Sequence, residues 1–171
     1  MSEHSVLIVD DEQGIRETLS EIFEDEGFSV STAASGEEGI DFVSKNTPDV
    51  IFLDLWLPGI DGIDTLEEIK RINQYIPVII ISGHGKIEQA VKSTKMGAYD
   101  FLEKPLSLER VLLTAKRAIE RKELQLQNES LRRDNVKRYM MIGESDAMTE
   151  LKNQVDIAGR SNARVLIMGE S

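Results

Sequence analysis

Five polar side chains lie at or just beyond the ends of short apolar runs: Asp10, Asp11, Asp54, Ser82 and Lys104. An open α/β sheet builds its sites at the carboxyl ends of its strands, so these side chains are expected to converge in one crevice. Three carboxylates that lie close together raise one another's pKa and need a cation beside them. Oxygen ligands without cysteine favour a hard ion, and we predict Mg²⁺ as the cofactor.

The ligands of this ion are predicted from their positions after the apolar runs. Asp11 is expected to bind the metal directly, and Asp10 directly or through a water molecule. Asp54 is expected to contribute a carboxylate oxygen. The backbone carbonyl of Trp56, two residues past Asp54, is expected to complete the shell.

The same residues supply the parts that phosphoryl transfer requires. The reaction needs a carboxylate nucleophile, a metal that shields the incoming charge, and donors for the equatorial oxygens. Asp54 stands alone at the centre of the predicted sheet and is the candidate nucleophile. Ser82 is expected to donate its hydroxyl to one phosphoryl oxygen, and Lys104 to pair with another. The pattern therefore predicts an aspartyl phosphate on Asp54.

Alternating strands and helices must position these side chains. The predicted strands are the apolar runs at residues 6–9, 28–31, 50–53, 78–81 and 99–102. Helix starts are predicted at two Ser/Asp-x-x-Glu boxes, Ser35 with Glu38 and Asp64 with Glu67. Gly97 is expected to end the fourth helix. Because the most apolar runs alternate little, we predict an α/β fold, a (βα)5 doubly wound parallel sheet. Its strand order is expected to be the flavodoxin-like 2-1-3-4-5.

Composition excludes several classes of protein. The 171 residues carry 31 acidic and 20 basic side chains, a net charge of −11, which disfavours a general nucleic-acid binder. The chain has no cysteine, so disulfides and thiolate metal sites are excluded. The first apolar run is too short for a signal peptide or a membrane span. We therefore predict a cytoplasmic protein without a membrane partner.

The charge is unevenly distributed and marks a boundary near Pro105. Residues 1–106 hold 21 acidic and eight basic side chains, whereas residues 107–171 hold 10 and 12. The two parts of the chain are therefore expected to belong to different domains.

One long helix is predicted over residues 107–142, which contain no glycine or proline. Leucines seven residues apart, such as Leu124 and Leu131, permit a short coiled coil, and a solvated connecting helix is the alternative. A further helix is predicted over residues 146–158 and a sixth strand over residues 165–168.

The segments VLIVDDE, VIFLDLWLPGIDG, VIIISGHG and GAYDFLEKPL resemble the receiver domain of two-component response regulators. The resemblance covers roughly residues 4 to 120. It implies that a sensor histidine kinase is the partner and that Asp54 takes its phosphoryl group. It also implies that Ser82 and Phe101 are the switch residues. Homodimerisation is expected through the fourth helix, the fifth strand, the fifth helix and the linker helix.

The remainder, from IGESDAMTELK to VLIMGES, resembles the opening of the AAA+ domain of NtrC/NtrX-type sigma-54 activators. We therefore predict a receiver domain at residues 1–120, an extended fifth helix and linker at 107–142, and a truncated AAA+ start at 143–171. A complete phosphate-binding loop needs G-x-x-x-x-G-K-[ST], and the chain supplies only its first residues. No ATPase site and no enzyme activity are expected here. The full-length protein is expected to contact DNA and sigma-54 RNA polymerase, but not through this chain.

Two other functions are consistent with an acidic cluster. Haloacid-dehalogenase-type phosphatases also form an aspartyl phosphate, but they carry a second Asp two residues after the nucleophile, where this chain has Trp56. An unphosphorylated pseudo-receiver that acts as a dimerisation module would lack one of the key polar residues. All five are present in this sequence.

Overall fold

The computed structural model of the chain describes residues 4–83, 87–138 and 141–160. Five parallel strands form one sheet: β1 Ser5–Val9, β2 Ser29–Ala33, β3 Val50–Asp54, β4 Val78–Ser82 and β5 Asp100–Glu103. Their order is β2-β1-β3-β4-β5, which confirms the predicted architecture. The strands differ from the predicted runs by one or two residues at their ends.

Six helices accompany the strands in the described parts of the chain: α1 Gln13–Asp25, α2 Gly36–Lys45, α3 Gly62–Ile72, α4 Ile87–Lys95, α5 Leu108–Arg138 and α6 Asp146–Gly159. The three inner strands β1, β3 and β4 are buried almost throughout. Aliphatic side chains on both faces of these strands explain why their sequences do not alternate.

Helices cover both faces of the sheet. On one face, Leu19 and Phe23 of α1 pack with Val111 and Ile119 of α5 in a single core cluster. On the other face, a second cluster contains Leu66 of α3 and side chains from α2. Each fully buried aliphatic side chain contributes about 1.5–3 kcal/mol through removal from water. The two cores hold the carboxyl ends of the strands in register.

Local capping fixes where the helices begin and end. The Ser35 side chain accepts a hydrogen bond from the Glu38 backbone N–H, as the first capping box predicts. The second box was misplaced: Asp61, not Asp64, caps α3 and accepts from the Asp64 N–H. Asp61 is a better cap because it leaves Asp64 in the first turn, where a carboxylate complements the helix dipole. Gly97 follows α4 with φ +95°, which confirms the predicted left-handed end.

The fifth helix is the long helix that the sequence predicts. Lys122 anchors it to the sheet, donating to Asp49 Oδ1 at 2.9 Å and to the Pro48 carbonyl at 3.2 Å. Leu124 and Leu131 are exposed. The prediction that the helix continues through Ile142 was wrong. α5 ends at Arg138, and residues 141–144 have no helical structure.

The chain divides into two compact units, Met1–Gln127 and Asn128–Ser171. In the second unit, Ser145 caps α6 by accepting from the Met148 N–H. The predicted strand at residues 165–168 lies outside the described residues. Among the helices of the described part, none combines the length and apolar character that crossing a bilayer requires.

Candidate functional site

The ends of β1 and β3 bring acidic side chains together. β1 and β3 are neighbours in register, with Val9 opposite Leu53, so Asp10 and Asp54 emerge side by side. Both residues are buried, at 0% and 3% exposure. Carboxylate oxygens of Asp10, Glu12 and Asp54 all lie within 4.8 Å of one another. The predicted convergence of Asp10 with Asp54 is therefore present in the structure.

Lys104 brings a positive charge into this acidic cluster. Its Nζ lies 2.8 Å from Asp54 Oδ2, 2.8 Å from Glu12 Oε1 and 3.0 Å from Asp10 Oδ2. The lysine side chain is only 14% exposed. The peptide bond from Lys104 to Pro105 is cis. The structure thus places Lys104 in the crevice, as the sequence predicts.

Burial dominates the electrostatics of the cluster. Desolvation raises the pKa of the Asp10 carboxyl above its ordinary value, although a hydrogen bond from the Glu12 backbone N–H opposes that shift. Burial alone would lower the pKa of Lys104, but hydrogen bonds to Asp54 and Glu12, together with the close charge of Asp10, outweigh it and raise that pKa. The lysine therefore stays charged, and its ammonium opposes the rise in the pKa of the Asp10 carboxyl.

One oxygen of the cluster lacks a donor. Asp10 Oδ2 is buried and accepts no hydrogen bond from any residue that the structure describes. It lies 3.0 Å from the Lys104 ammonium, but without hydrogen-bond geometry. A buried acceptor of this kind is costly to leave unsatisfied. An oxygen-only donor set with one unsatisfied carboxylate oxygen fits a hard divalent cation such as Mg²⁺.

The acidic residue that joins Asp10 in the cluster is not the one that the sequence predicts. Asp11 is exposed and does not belong to the close carboxylate group, whereas Glu12 does. Glu12 precedes α1, and its carbonyl accepts the N–H groups of Ile15 and Arg16. This turn directs the Glu12 side chain toward Lys104. The role of Asp11 as a metal ligand stays a prediction.

Trp56 lies next to the cluster. Its backbone N–H donates to Asp54 Oδ1 at 3.1 Å, and the residue is 55% exposed. With Lys104 on Oδ2, both oxygens of Asp54 have a donor. The hydrogen bond from Trp56 fixes the orientation of the Asp54 carboxylate. The use of the Trp56 carbonyl as a metal ligand stays a prediction.

Arg16 is a site residue that the sequence analysis missed. Its Nη1 donates to the Asp10 carbonyl at 2.6 Å and to the Asp11 carbonyl at 2.9 Å. The guanidinium therefore clamps the backbone that carries both aspartates. A single basic residue near the start of an amphipathic helix gives no periodic signal, so its position six residues after Asp10 was the only clue.

Gly62 permits the close approach of α3 to the end of β3. Its N–H donates to the Leu55 carbonyl at 3.0 Å. A Cβ atom at Gly62 would collide with the Asp54 carbonyl oxygen and lie 2.6 Å from Leu55 Cα. Backbone atoms cannot move aside as a side chain can, so the absence of a side chain here fixes the position of Asp54.

Ser82 and Phe101 lie on the neighbouring strands. Ser82 ends β4 and is fully buried, and its carbonyl accepts the Lys104 N–H at 2.9 Å. Phe101 on β5 is opposite Ile80 and packs, half-buried, against the core cluster that contains Leu66. The structure thus places Ser82 beside the Lys104 backbone and Phe101 one strand further along. Their predicted switch roles stay predictions.

The model of the response regulator receiver domain matches residues 6–116 of the chain. Among curated relatives, the nitrogen assimilation regulatory protein NtrX of Azorhizobium caulinodans is 41% identical over 170 residues. That alignment covers 98% of this chain and 37% of the relative. The chain thus spans little more than a third of the length of such relatives.

Solved structures give the same likeness. NtrX from Brucella abortus superposes with a TM-score of 0.72 and 38% identity, covering 95% of this chain and 36% of that one. The beryllofluoride-activated NtrC4 receiver domain dimer gives a TM-score of 0.67 at 45% identity. It covers 69% of this chain and 98% of the other.

Proposed function

The chain belongs to the response regulator receiver domain family, in the NtrX/NtrC type of two-component regulator, and on this premise we propose that Asp54 is its phosphoacceptor. A sensor histidine kinase is the donor that this family implies. The observation that carries the proposal is the ion pair of 2.8 Å between Lys104 Nζ and Asp54 Oδ2 inside a buried acidic cluster.

The proposed step transfers a phosphoryl group from the phosphohistidine of the kinase. An oxygen of Asp54 forms a bond to phosphorus while the P–N bond breaks, and the imidazole nitrogen keeps the electron pair. Trp56 N–H orients the carboxylate through Oδ1. Lys104 is close enough to form an ion pair with an oxygen of the transferred phosphoryl group, and its ammonium then stabilises the negative charge on that group.

Mg²⁺ fits the donor set, and the residues that would hold it are Asp10, Asp54, the Trp56 carbonyl, and Asp11 or Glu12. Bound there, the ion would supply charge shielding for the incoming phosphoryl group. The buried, unsatisfied Asp10 Oδ2 supports this assignment. Arg16 supports it too, because its clamp holds the backbone of both aspartates.

The proposed output is a conformational switch. The charge added at Asp54 draws the Ser82 hydroxyl toward the phosphoryl group, and Phe101 moves into the vacated space. The face formed by α4, β5 and α5 then changes its self-association, with the linker part of α5 contributing. The exposed Leu124 and Leu131, seven residues apart on α5, support a paired helix there.

The wider context is also part of this proposal. We infer that the chain works in the cytoplasm, catalyses no turnover beyond its own phosphorylation and dephosphorylation, and controls a sigma-54-dependent AAA+ activator. Contacts with DNA and sigma-54 RNA polymerase belong to other parts of such a protein.

The alternatives have less support. A haloacid-dehalogenase-type phosphatase needs an acid/base carboxylate two residues after the nucleophile, and the indole of Trp56 cannot transfer a proton in that role. A pseudo-receiver with an inactive pocket would not require Asp10, Asp54 and Lys104 to meet within ion-pair distance, as they do.

The test is intact-mass spectrometry after incubation with acetyl phosphate and Mg²⁺. The parent chain is expected to gain one phosphoryl group, and Asp54→Ala none. Asp41→Asn is the matched control, because Asp41 is exposed on α2 and pairs only with the exposed Lys45 among the described residues. An undiminished mass gain in Asp54→Ala would refute the proposal, as would no gain in the parent.

A further inference from the structure

A second cavity lies at the opposite edge of the sheet from Asp54, at the amino ends of β4 and β5. It has a volume of about 380 Å³, which falls within the range of small-molecule sites. Its lining comes from the ends of α3 and α4, the connections into β4 and β5, and the middle of α5. All of these residues belong to the first compact unit.

The charge of this cavity is opposite to that of its surroundings. Lys70, Arg121 and Lys122 line it, and no acidic residue does among those that the structure describes. Residues 1–106, by contrast, carry 21 acidic and eight basic side chains. A cavity whose charged lining residues are all cations has a positive local potential even in such an acidic domain, and its concave shape concentrates that potential.

Two of the three cations have no acidic partner among the residues that the structure describes. Lys122 is neutralised by Asp49 at 2.9 Å. Lys70 Nζ donates instead to the carbonyls of Ile76 at 2.7 Å and Gln74 at 3.3 Å, and burial lowers its pKa to about 8. Within the described residues, Arg121 contacts the Tyr99 ring, whose centroid lies 5.8 Å from the Arg121 Cζ atom.

A structural role explains Lys70 but not Arg121. A cation near the last turn of α3 complements the helix dipole and satisfies carbonyl groups that the helix leaves unpaired. Arg121 lies in the interior of α5, where there is no helix end to neutralise. Its guanidinium is held in the cavity by stacking on Tyr99, and no carboxylate in the described part of the chain pairs with its N–H groups.

We propose that this cavity binds a small phosphate-bearing anion, with Arg121 and Lys70 as its charged contacts. The guanidinium fork matches two phosphate oxygens, and the lysine ammonium supplies a point charge. The volume accommodates an anion larger than inorganic phosphate. This site is separate from Asp54, because its lining lies at the amino ends of β4 and β5 whereas Asp54 lies at the carboxyl end of β3.

Binding has a second consequence at Lys70. The titratable or cationic groups that line the cavity with it are Tyr75, Tyr99, Arg121 and Lys122, so no carboxylate there competes for its charge. An anion favours the protonated amine. The pKa of Lys70 is therefore expected to rise when the anion binds.

The test is an NMR titration of the full 171-residue chain with inorganic pyrophosphate in EDTA. The Asp54→Asn background removes the acceptor carboxylate, so failure here is distinguishable from failure of the proposed function. We expect saturable amide shifts at Thr94, Gly97 and Gln125, together with an upward shift of the Lys70 pKa. Arg121→Gln is expected to weaken binding about tenfold, and Arg121→Lys to give an intermediate loss.

Lys45→Gln is the matched control, because it removes a cation from the exposed surface of α2 and should leave the affinity unchanged. Chloride at equal ionic strength and malonate are the competing anions. The proposal is overturned if the shifts do not saturate, if chloride reproduces them, or if Arg121→Gln binds pyrophosphate as the parent does. Equal affinity for malonate would overturn the phosphate class.

Discussion

Lys104 forms an ion pair of 2.8 Å with Asp54 although β4 lies between the strands that carry them. The same ammonium reaches Glu12 at 2.8 Å, on the far side of Asp54 from its own strand. One lysine therefore ties together the carboxyl ends of β1, β3 and β5. Because the Asp10 and Asp54 carboxylates are buried, the Lys104 ammonium is expected to stabilise the fold as well as take part in the chemistry of the site.

Replacing this cation is expected to destabilise the fold. Lys104→Met should lower the free energy of unfolding by about 3 kcal/mol near neutral pH, because it leaves the Asp10 and Asp54 carboxylates buried without a counter-charge. The loss should fade as the pH falls and the buried Asp10 carboxyl, whose pKa is raised, becomes protonated. Urea unfolding in EDTA measures both effects. Lys45→Met, in an exposed pair, should change stability by under about 1 kcal/mol; an equal loss in both variants would contradict the reasoning.

Asp49 is expected to contribute pH-dependent stability. Burial would raise its pKa, but hydrogen bonds from Ser5 and Lys122 outweigh burial and lower it. A carboxyl whose pKa is lower in the folded state stabilises the fold above its unfolded pKa and loses that contribution as the pH falls through the folded pKa. Asp49→Asn should therefore cost about 1–2 kcal/mol near neutral pH, and progressively less below about pH 4.

The measurement is urea unfolding of the parent chain and of Asp49→Asn across the acidic pH range. Asp41→Asn serves again as the exposed control, with an expected change near zero at every pH. A loss in Asp49→Asn that stays constant down to strongly acidic pH would show that the carboxylate charge is irrelevant at this position.

Arg16 is expected to act on metal affinity. Arg16→Met removes the hydrogen bonds to the Asp10 and Asp11 carbonyls and should weaken Mg²⁺ binding about tenfold, as loss of an outer-shell partner does. Trp56 is the sole tryptophan of the sequence and lies beside the cluster, so its fluorescence reports the titration. Arg71→Met, which removes an exposed arginine on α3, should leave the affinity unchanged. Equal Mg²⁺ affinities for Arg16→Met and the parent would show that Arg16 does not support metal binding.

Gly62 is expected to tolerate no side chain. Gly62→Ala places a methyl group against backbone atoms of Asp54 and Leu55 and should destabilise the chain by about 1–3 kcal/mol. It should also slow phosphorylation by acetyl phosphate, because the acceptor must shift. Gly14→Ala is the matched control: its Cβ meets nothing within 4 Å, and in the first turn of α1 it should stabilise by up to about 1 kcal/mol. Thermal unfolding and phosphorylation rates distinguish the two glycines.

The fold and the central residues of the site were predictable because they depend on burial. Runs such as 50–53 and 78–81 are apolar on both faces, which is typical of parallel strands covered by helices on both sides. A polar residue that ends such a run must lie at the carboxyl edge, so Asp10, Asp54 and Lys104 could be placed together before any coordinates were known.

The details that could not be placed from the sequence depend on single turns of backbone. Asp11 and Glu12 are both acidic, so residue type does not show which of them turns toward the cluster. The choice depends on the exact residue at which α1 begins. Asp61 and Asp64 are equally good caps by type, and only the position of Gly62 against β3 selects the first. The end of α5 at Arg138 has no sequence marker before Gly143. Arg16 contacts carbonyl groups, which every residue possesses and which no pattern of side chains reveals.

The buried Asp10 oxygen accepts no hydrogen bond from the described residues, so the melting temperature of this chain should report whether a cation is bound there. A folded state that carries an unmet acceptor gains stability from any cation that reaches it, in proportion to the logarithm of its concentration over its dissociation constant. A thermal-shift screen of metal salts would therefore rank the ions that the crevice accepts, with no kinase, phosphodonor or labelled protein at hand.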